Sequence, residues 1–149
     1  MSPVRNRIAV LHGVNLDMLG RRDPAHYGTI TLPELEQRVV AFGHELGLEV
    51  DCFQTNSERD FVEHLHRLPG NADAIVINPG AWTHYSWAIR DALEIAGLPA
   101  VEVHLSKIDH REQWRQVSVV RDLVLACVSG QGVEGYREAL VRLSKALDE

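Results

Sequence analysis

Tyr27 stands behind Arg21 and Arg22 in the polar stretch Arg21-Arg22-Asp23-Pro24-Ala25-His26-Tyr27-Gly28. A loop tyrosine is ordinarily a surface residue, its ring on apolar neighbours and its hydroxyl in water. The arginines permit other chemistry, because a phenol serves as a base near neutrality only when a cation stabilises its phenolate. A second candidate is His104, which ends an apolar run and is followed by Leu105 and Ser106. Its imidazole can give or take a proton near neutral pH, beside backbone N–H groups able to hold an anion. Taken alone, a histidine at a strand end is more often structural. Asn78-Pro79-Gly80-Ala81 likewise reads first as a tight turn after a buried strand.

Other reactive residues carry less. The chain has eight histidines, yet His64 and His66 are too close together for one helical face, and no Cys or Glu falls at a recognised ligand spacing. No metal is therefore expected. The glycine-rich Ser129-Gly130-Gln131-Gly132 follows the last apolar run instead of opening a first βαβ unit, which argues against a dinucleotide turn. Lys107 reads as a solvated amine in preference to a Schiff-base nucleophile.

These residues must be positioned by a body of 149 residues, 45% hydrophobic and 24% charged, which suits a single domain over 1–149. A formal charge of −6 with scattered Lys and Arg gives no nucleic-acid footprint. Cys52 and Cys127 lie in apolar runs and read as reduced, buried thiols. The apolar run after Arg5 and Arg7 stops at Leu11-His12-Gly13, too short for a signal segment or a membrane span, so a cytoplasmic location is expected.

β-Branched apolar runs at Ile8 to Leu11, Val50 to Phe53, Ala74 to Ile77, Ala100 to Val103 and Leu123 to Val128 predict five strands. Between them, Leu32 to Leu46 carries apolar residues near helical spacing, with Thr31 as N-cap and Glu34 as its capping-box partner. Ser57 to Leu68, Tyr85 to Ala96 and Val133 to Leu147 repeat the pattern, with Gly47 and Gly97 as stops. Alternating strands and helices predict a doubly wound α/β domain with a parallel sheet covered on both faces. Ligands bind such sheets at the carboxyl ends of the strands, where Tyr27, Asn78 and His104 fall.

Read together and in order, "NL-MLG-R-P-YG", "NPGAWTH-S", "EVHLS" and "REQWR--S" resemble the type II 3-dehydroquinate dehydratases over nearly the whole chain. The helix-opening "LPELE" and the closing "GQGVEGY" extend the match. The resemblance implies a flavodoxin-like, doubly wound five-stranded sheet, trimers packed into dodecamers, and a hydro-lyase of the shikimate pathway that needs neither metal nor organic cofactor. It implies that Tyr27 removes the C2 proton of an anionic small-molecule substrate, and that Arg22 makes the phenolate accessible. Arg21 fits a solvent-facing or lid-supporting role. By the same resemblance Asn15 helps hold a water on the enolate, His104 protonates the departing C1 hydroxyl, and Asn78 holds it in place. Leu105 and Ser106 would take the carboxylate on their N–H groups, with Gly80, His84 and Arg115 among the substrate-binding positions and Asp91 presented by a neighbouring subunit. The loop from Asn15 to Tyr27 would act as a lid, with Gly20 and Gly28 as hinges.

Some positions depart from that pattern. His12-Gly13-Val14 stands where the family usually has Asn-Gly-Pro, Asp17 replaces an asparagine, and Lys107 replaces the asparagine of "HLSN". Val117 stands for a common histidine and Arg121 for a small residue. Proton-transfer residues are spared, so dehydration is expected. A modified substrate such as amino-dehydroquinate, or a silent flavodoxin-like binder of a small acid, are the alternatives.

Overall fold

The computed structural model describes residues 4–149. Five strands form one parallel sheet: β1 (Arg7–His12), β2 (Glu49–Gln54), β3 (Ala74–Asn78), β4 (Ala100–His104) and β5 (Ala126–Ser129), in the order β2-β1-β3-β4-β5. The helices are α1 (Pro24–Tyr27), α2 (Leu32–Glu45), α3 (Glu58–Arg67), α4 (Trp87–Ala96) and α5 (Glu134–Asp148). This is the doubly wound arrangement that the alternating strands and helices predict, in the flavodoxin-like form that the resemblance implies.

Alternation along each strand sends its side chains to two different cores. Ile8 and Val10 of β1, Val76 of β3 and Val101 and Val103 of β4 pack under α2 and α5 with Leu35, Val39, Tyr136 and Leu140. Ala9, Leu11, Ile75 and Ile77 face α3 and α4 and meet Phe61, Leu65, Ile89 and Leu93. Between Val101 and Val103, alternation turns Glu102 to the opposite face of β4, where it is fully buried.

Local rules place the helix ends. Thr31 accepts from the Glu34 N–H, and the Glu34 carboxylate accepts from the Thr31 N–H at 3.1 Å, completing the expected capping box. Gly97 takes a left-handed conformation, φ 64°, at the end of α4. Two boundaries differ from expectation by more than one residue. β5 starts at Ala126 and not Leu123, because Arg121–Leu123 is a 3-10 turn. α4 starts at Trp87 with Ser86 as its N-cap, since Tyr85 closes a separate 3-10 turn, Gly80–His84. α1, capped by Asp23 and opened by Pro24, gives no periodic signal because it is one turn long.

The chain passes from β1 to β2 on one side and to β3 on the other, so a crevice opens where the loops after β1 and β3 part. Those loops touch at two glycines. A Cβ on Gly13 would overlap the Pro79 carbonyl, and Gly13 N–H donates to Asn78 O at 2.8 Å. A Cβ on Gly80, at φ 66°, would lie 2.6 Å from the Val14 carbonyl oxygen. Gly13→Ala is expected to destabilise the fold by about 1–3 kcal/mol, as overpacking does, read as a lower urea midpoint at unchanged slope. An unchanged midpoint would mean that the two loops move apart freely.

Candidate active site

The loop after β1 carries the phenol. Its first residue of interest, Asn15, is held at φ 69°, and its N–H donates to Asn56 Oδ1 at 2.8 Å. Asn56 in turn accepts from Gln54 Nε2 at 3.2 Å and donates to Asp17 Oδ2 at 3.0 Å. The residues after β2 therefore fasten the base of the loop, and Asp17 is a working acceptor there. Leu16 and Leu19 anchor the loop in the α2/α5 core. Beyond them, Asp23 accepts from Ala25 N–H and starts the single turn of α1 that ends on Tyr27.

Two guanidinium groups converge on that phenol. Arg22 Nη2 donates to Tyr27 Oη at 2.8 Å, and its guanidinium carbon lies 3.8 Å from the ring centroid. Arg111, from the loop after β4, donates to the same oxygen at 2.5 Å. Burial, the main cause, lowers the Arg22 pKa from its ordinary value, and the charges of Arg111 and Arg115 push the same way while Tyr27 opposes them. Like charges brought this close are stabilised by negative charge between them, and the Tyr27 oxygen occupies that place. Arg21 is exposed.

The acid candidate is built on β4. His104 and Glu102 are two residues apart on a strand and share a face; His104 Nε2 meets Glu102 Oε2 at 2.5 Å. The carboxylate also accepts from Thr83 Oγ1 at 2.6 Å and Ser118 Oγ at 2.8 Å, with Arg121 Nε 3.7 Å away. Burial alone would raise the Glu102 pKa, but the bonds and charge of His104, then the hydroxyls of Thr83 and Ser118, outweigh it and hold the carboxyl at about 2. Because Glu102 is ionised and accepts, Nε2 of His104 carries the hydrogen and Nδ1 is free for a ligand.

Glu102, His104 and Cys127 bring one potential metal ligand atom each within 4.8 Å, a grouping that sequence spacing did not suggest. They do not fit a cation. Zinc–nitrogen and zinc–oxygen bonds of about 2 Å need more room than the 2.5 Å between His104 and Glu102, and the carboxylate lone pairs already serve two hydroxyls. Burial, then the nearby Glu102, pushes the Cys127 thiol up to about 12, so it stays protonated. Cys127 and Cys52 are both unpaired and only half-buried.

Between the phenol and the imidazole lies a cleft of about 100 Å³, which suits a small compact molecule. Asn15, Arg22 and Tyr27 line it from the β1 loop, Asn78, Gly80 and His84 from the β3 loop, and His104, Leu105, Ser106 and Arg115 from the β4 loop. His84 Nδ1 donates to the Val117 carbonyl at 2.6 Å, leaving Nε2 as an acceptor, and burial lowers its pKa. That contact uses only the backbone of Val117, so it does not depend on which side chain stands there. Asp91 lies exposed on α4, outside this cleft. Lys107 is exposed too, packs its stem over Gly130 and does not line the cleft.

A family model described as dehydroquinase class II matches residues 6–144. The chain belongs to the class II dehydroquinase family. The 3-dehydroquinate dehydratase of Pelobacter propionicus is 51% identical over 143 residues, covering 95% of this chain and 96% of that one. The 3-dehydroquinate dehydratase of Thermotoga maritima is 46% identical, covering 96% and 98%. The crystal structure of type II dehydroquinase from Propionibacterium acnes superposes with a TM-score of 0.90 at 43% identity, covering 97% of this chain and 99% of that one. As a member of this family the chain is a hydro-lyase.

Sequence reasoning about this dehydroquinase missed Arg111, Glu102, Thr83 and Ser118 as parts of the site. Arg111 sits among irregular turns, where no periodicity gives a side chain a direction. Glu102 had a signal: an acid inside the apolar run Ala100-Val101-Glu102-Val103 must find buried partners. Its lowered pKa fixes the sign of one test. A carboxyl at about 2 folded and near 4.5 unfolded stabilises the protein above pH 4.5, and that contribution, on the order of 3 kcal/mol, is lost as pH falls toward 2. Glu102→Gln is expected to flatten this acid limb of the unfolding curve and to lower kcat by about tenfold or more with little change in KM. An acid limb identical to wild type would mean that Glu102 is not charged in the folded protein.

Proposed function

We propose that this dehydroquinase removes water from 3-dehydroquinate to give 3-dehydroshikimate, by anti elimination through an enolate, in the cytoplasm and within the shikimate pathway. The convergence of Arg22 and Arg111 on the Tyr27 hydroxyl carries this proposal, since two cations on one phenol are arranged for a phenolate. Tyr27 takes the C2 proton beside the ketone, and the enolate forms against a water held in part by Asn15. The imidazolium of His104, its charge stabilised by Glu102, then protonates the C1 hydroxyl, which leaves as water while Asn78 holds it in place. Leu105 and Ser106 hold the carboxylate, and Gly80, His84 and Arg115 bound the ring. One C–H and one C–O bond break and one C=C bond forms, so two proton transfers account for the chemistry and no redox group is needed.

The departures support the unmodified substrate. Lys107 is exposed and does not line the cleft, Val117 is 54% exposed while its carbonyl serves His84, and Asp17 bonds Asn56 beneath the loop. The Asn15–Tyr27 segment acts as the lid, hinged at Gly20 (φ 93°) and Gly28 (φ 70°).

The second part of the proposal is a trimer-based homo-oligomer, with a dodecamer as its full form, in which Asp91 reaches the site of a neighbour. Tyr85, Trp87 and Ile95, at 59%, 65% and 68% exposure, form an apolar surface around Asp91 on and beside α4 that a second copy could cover. Light scattering is expected to give a mass that is a multiple of three chains; an active monomer would remove Asp91 from the site.

The reaction is tested by ultraviolet absorbance on mixing metal-stripped protein with 3-dehydroquinate, because the product is a conjugated enone. Absorbance is expected to grow rapidly with wild type and about 10²–10⁴-fold more slowly with Tyr27→Phe, the usual worth of a general base. Binding of substrate by calorimetry should survive that change. A Tyr27→Phe enzyme of near-normal rate would remove Tyr27 from the base role.

A further inference from the structure

Behind the cleft, a chain of buried polar groups joins His12 at the end of β1 to Asn78 at the end of β3. His12 is fully buried, and its Nε2 lies 3.0 Å from the Tyr136 hydroxyl of α5. The same hydroxyl lies 3.0 Å from Asn78 Nδ2, and Asn78 Oδ1 accepts from Gly80 N–H at 3.2 Å. His12 Nδ1 is buried with no hydrogen-bond partner and stands 4.0 Å from Glu36 Oε1.

Directions in this chain follow from donor and acceptor chemistry. Gly80 requires the amide oxygen of Asn78, so its nitrogen faces Tyr136 and can only donate. The Tyr136 oxygen accepts there, which leaves its own proton for His12 Nε2. That nitrogen must carry a lone pair, and the neutral ring therefore has its hydrogen on Nδ1, toward Glu36. Burial pushes the His12 pKa down to about 4, consistent with a neutral ring. With a hydrogen on Nε2 instead, two donors would point at one phenol oxygen, and the Tyr136 proton would be stranded in the core it shares with Val39, Val76 and Leu140.

We propose that His12 is a positioning residue for the dehydration: as the Nδ1–H tautomer it fixes the Tyr136 hydroxyl, and through it the orientation of the Asn78 amide at the cleft wall. This rests on the function proposed above for Asn78. Tyr136 is used only as a relay, and neither it nor His12 lines the cleft.

Three variants test it. His12→Leu removes the acceptor and is expected to lower kcat by about tenfold or more with KM changed by less than about threefold. His12→Gln, whose Oε1 reaches where Nε2 stood, should restore kcat to within about threefold of wild type. Tyr136→Phe should lose as much as His12→Leu, and combining the two should lose no more than either alone. Full activity in Tyr136→Phe, failure of His12→Gln to rescue, or additive losses would each overturn the proposal, and Tyr136→Phe decides should His12→Leu fail to fold. Nitrogen-15 NMR of the His12 ring at neutral pH reads the tautomer without any substrate. Hydrogen on Nε2 overturns the proposal alone, whereas Nδ1–H in a wild-type protein that leaves 3-dehydroquinate untouched overturns the proposed function and the positioning role with it.

Discussion

A carboxylate buried in the middle of a sheet sets most of the geometry of the cleft. Glu102 has no access to water, and an isolated charge there would cost many kcal/mol. It is stable because four groups reach it: His104 on its own strand, Thr83 from the turn after β3, Ser118 and Arg121 from the segment leading to β5. Each partner is thereby fixed. Thr83 holds the 3-10 turn that also carries His84, and Thr83 O accepts from Val119 N–H at 2.8 Å, tying that turn to Ser118. The charge thus orders the loops after β3 and β4 against one another. Arg121, which stands for a small residue in the family pattern, adds a cation at the rim of this cluster without displacing any member.

A complementary constraint operates on the other wall. Arg22 and Arg111 repel one another and gain from a negative charge between them, while Glu102 gains from a positive one on His104. A phenol between two cations therefore faces an imidazole on a carboxylate, across a cleft that the Asn78–Gly80 turn also lines. The Arg111 contact also spans from the loop after β4 to the loop after β1, so the charge arrangement and the position of the β1 loop are coupled.

The sheet, its helices and the Thr31 capping box were legible because apolar periodicity and caps are local signals. Tyr27, His104, Asn15 and Asn78 were legible because they sit at strand ends in spaced motifs, and the structure brings them into one cleft. What stayed hidden was direction. Arg111 and Arg115 both stand in the "REQWR" stretch of the family pattern but lie in irregular turns where neighbouring side chains have no fixed relative orientation, and only Arg115 received a role from the resemblance. The polar chain from His12 to Asn78 joins residues far apart in sequence through Tyr136, whose position on the apolar face of α5 gives a hydroxyl no visible reason to exist. Buried polar residues within apolar patterns, Glu102 on one face of the sheet and His12 with Tyr136 on the other, are the places where the pattern fails.

An anionic substrate, as proposed, presents an electrostatic question to an acidic protein, since the formal charge is −6. Screening answers part of it: at physiological ionic strength charges more than about 8 Å apart on the surface are largely masked. The groups nearest a ligand then decide. Arg22, Arg111 and Arg115 all line the cleft, whereas the acids around it are committed: Glu112 accepts from Arg115 Nε at 2.6 Å and Glu102 from His104. The Glu112 pair leaves the outer nitrogens of Arg115 unspent and aims the guanidinium, while the exposure of the Glu112 carboxylate means that the pair adds little to stability. Its consequence is orientation. Local positive potential in the cleft and negative potential elsewhere favour the anion at one place on the surface, where the phenol and the imidazole already stand.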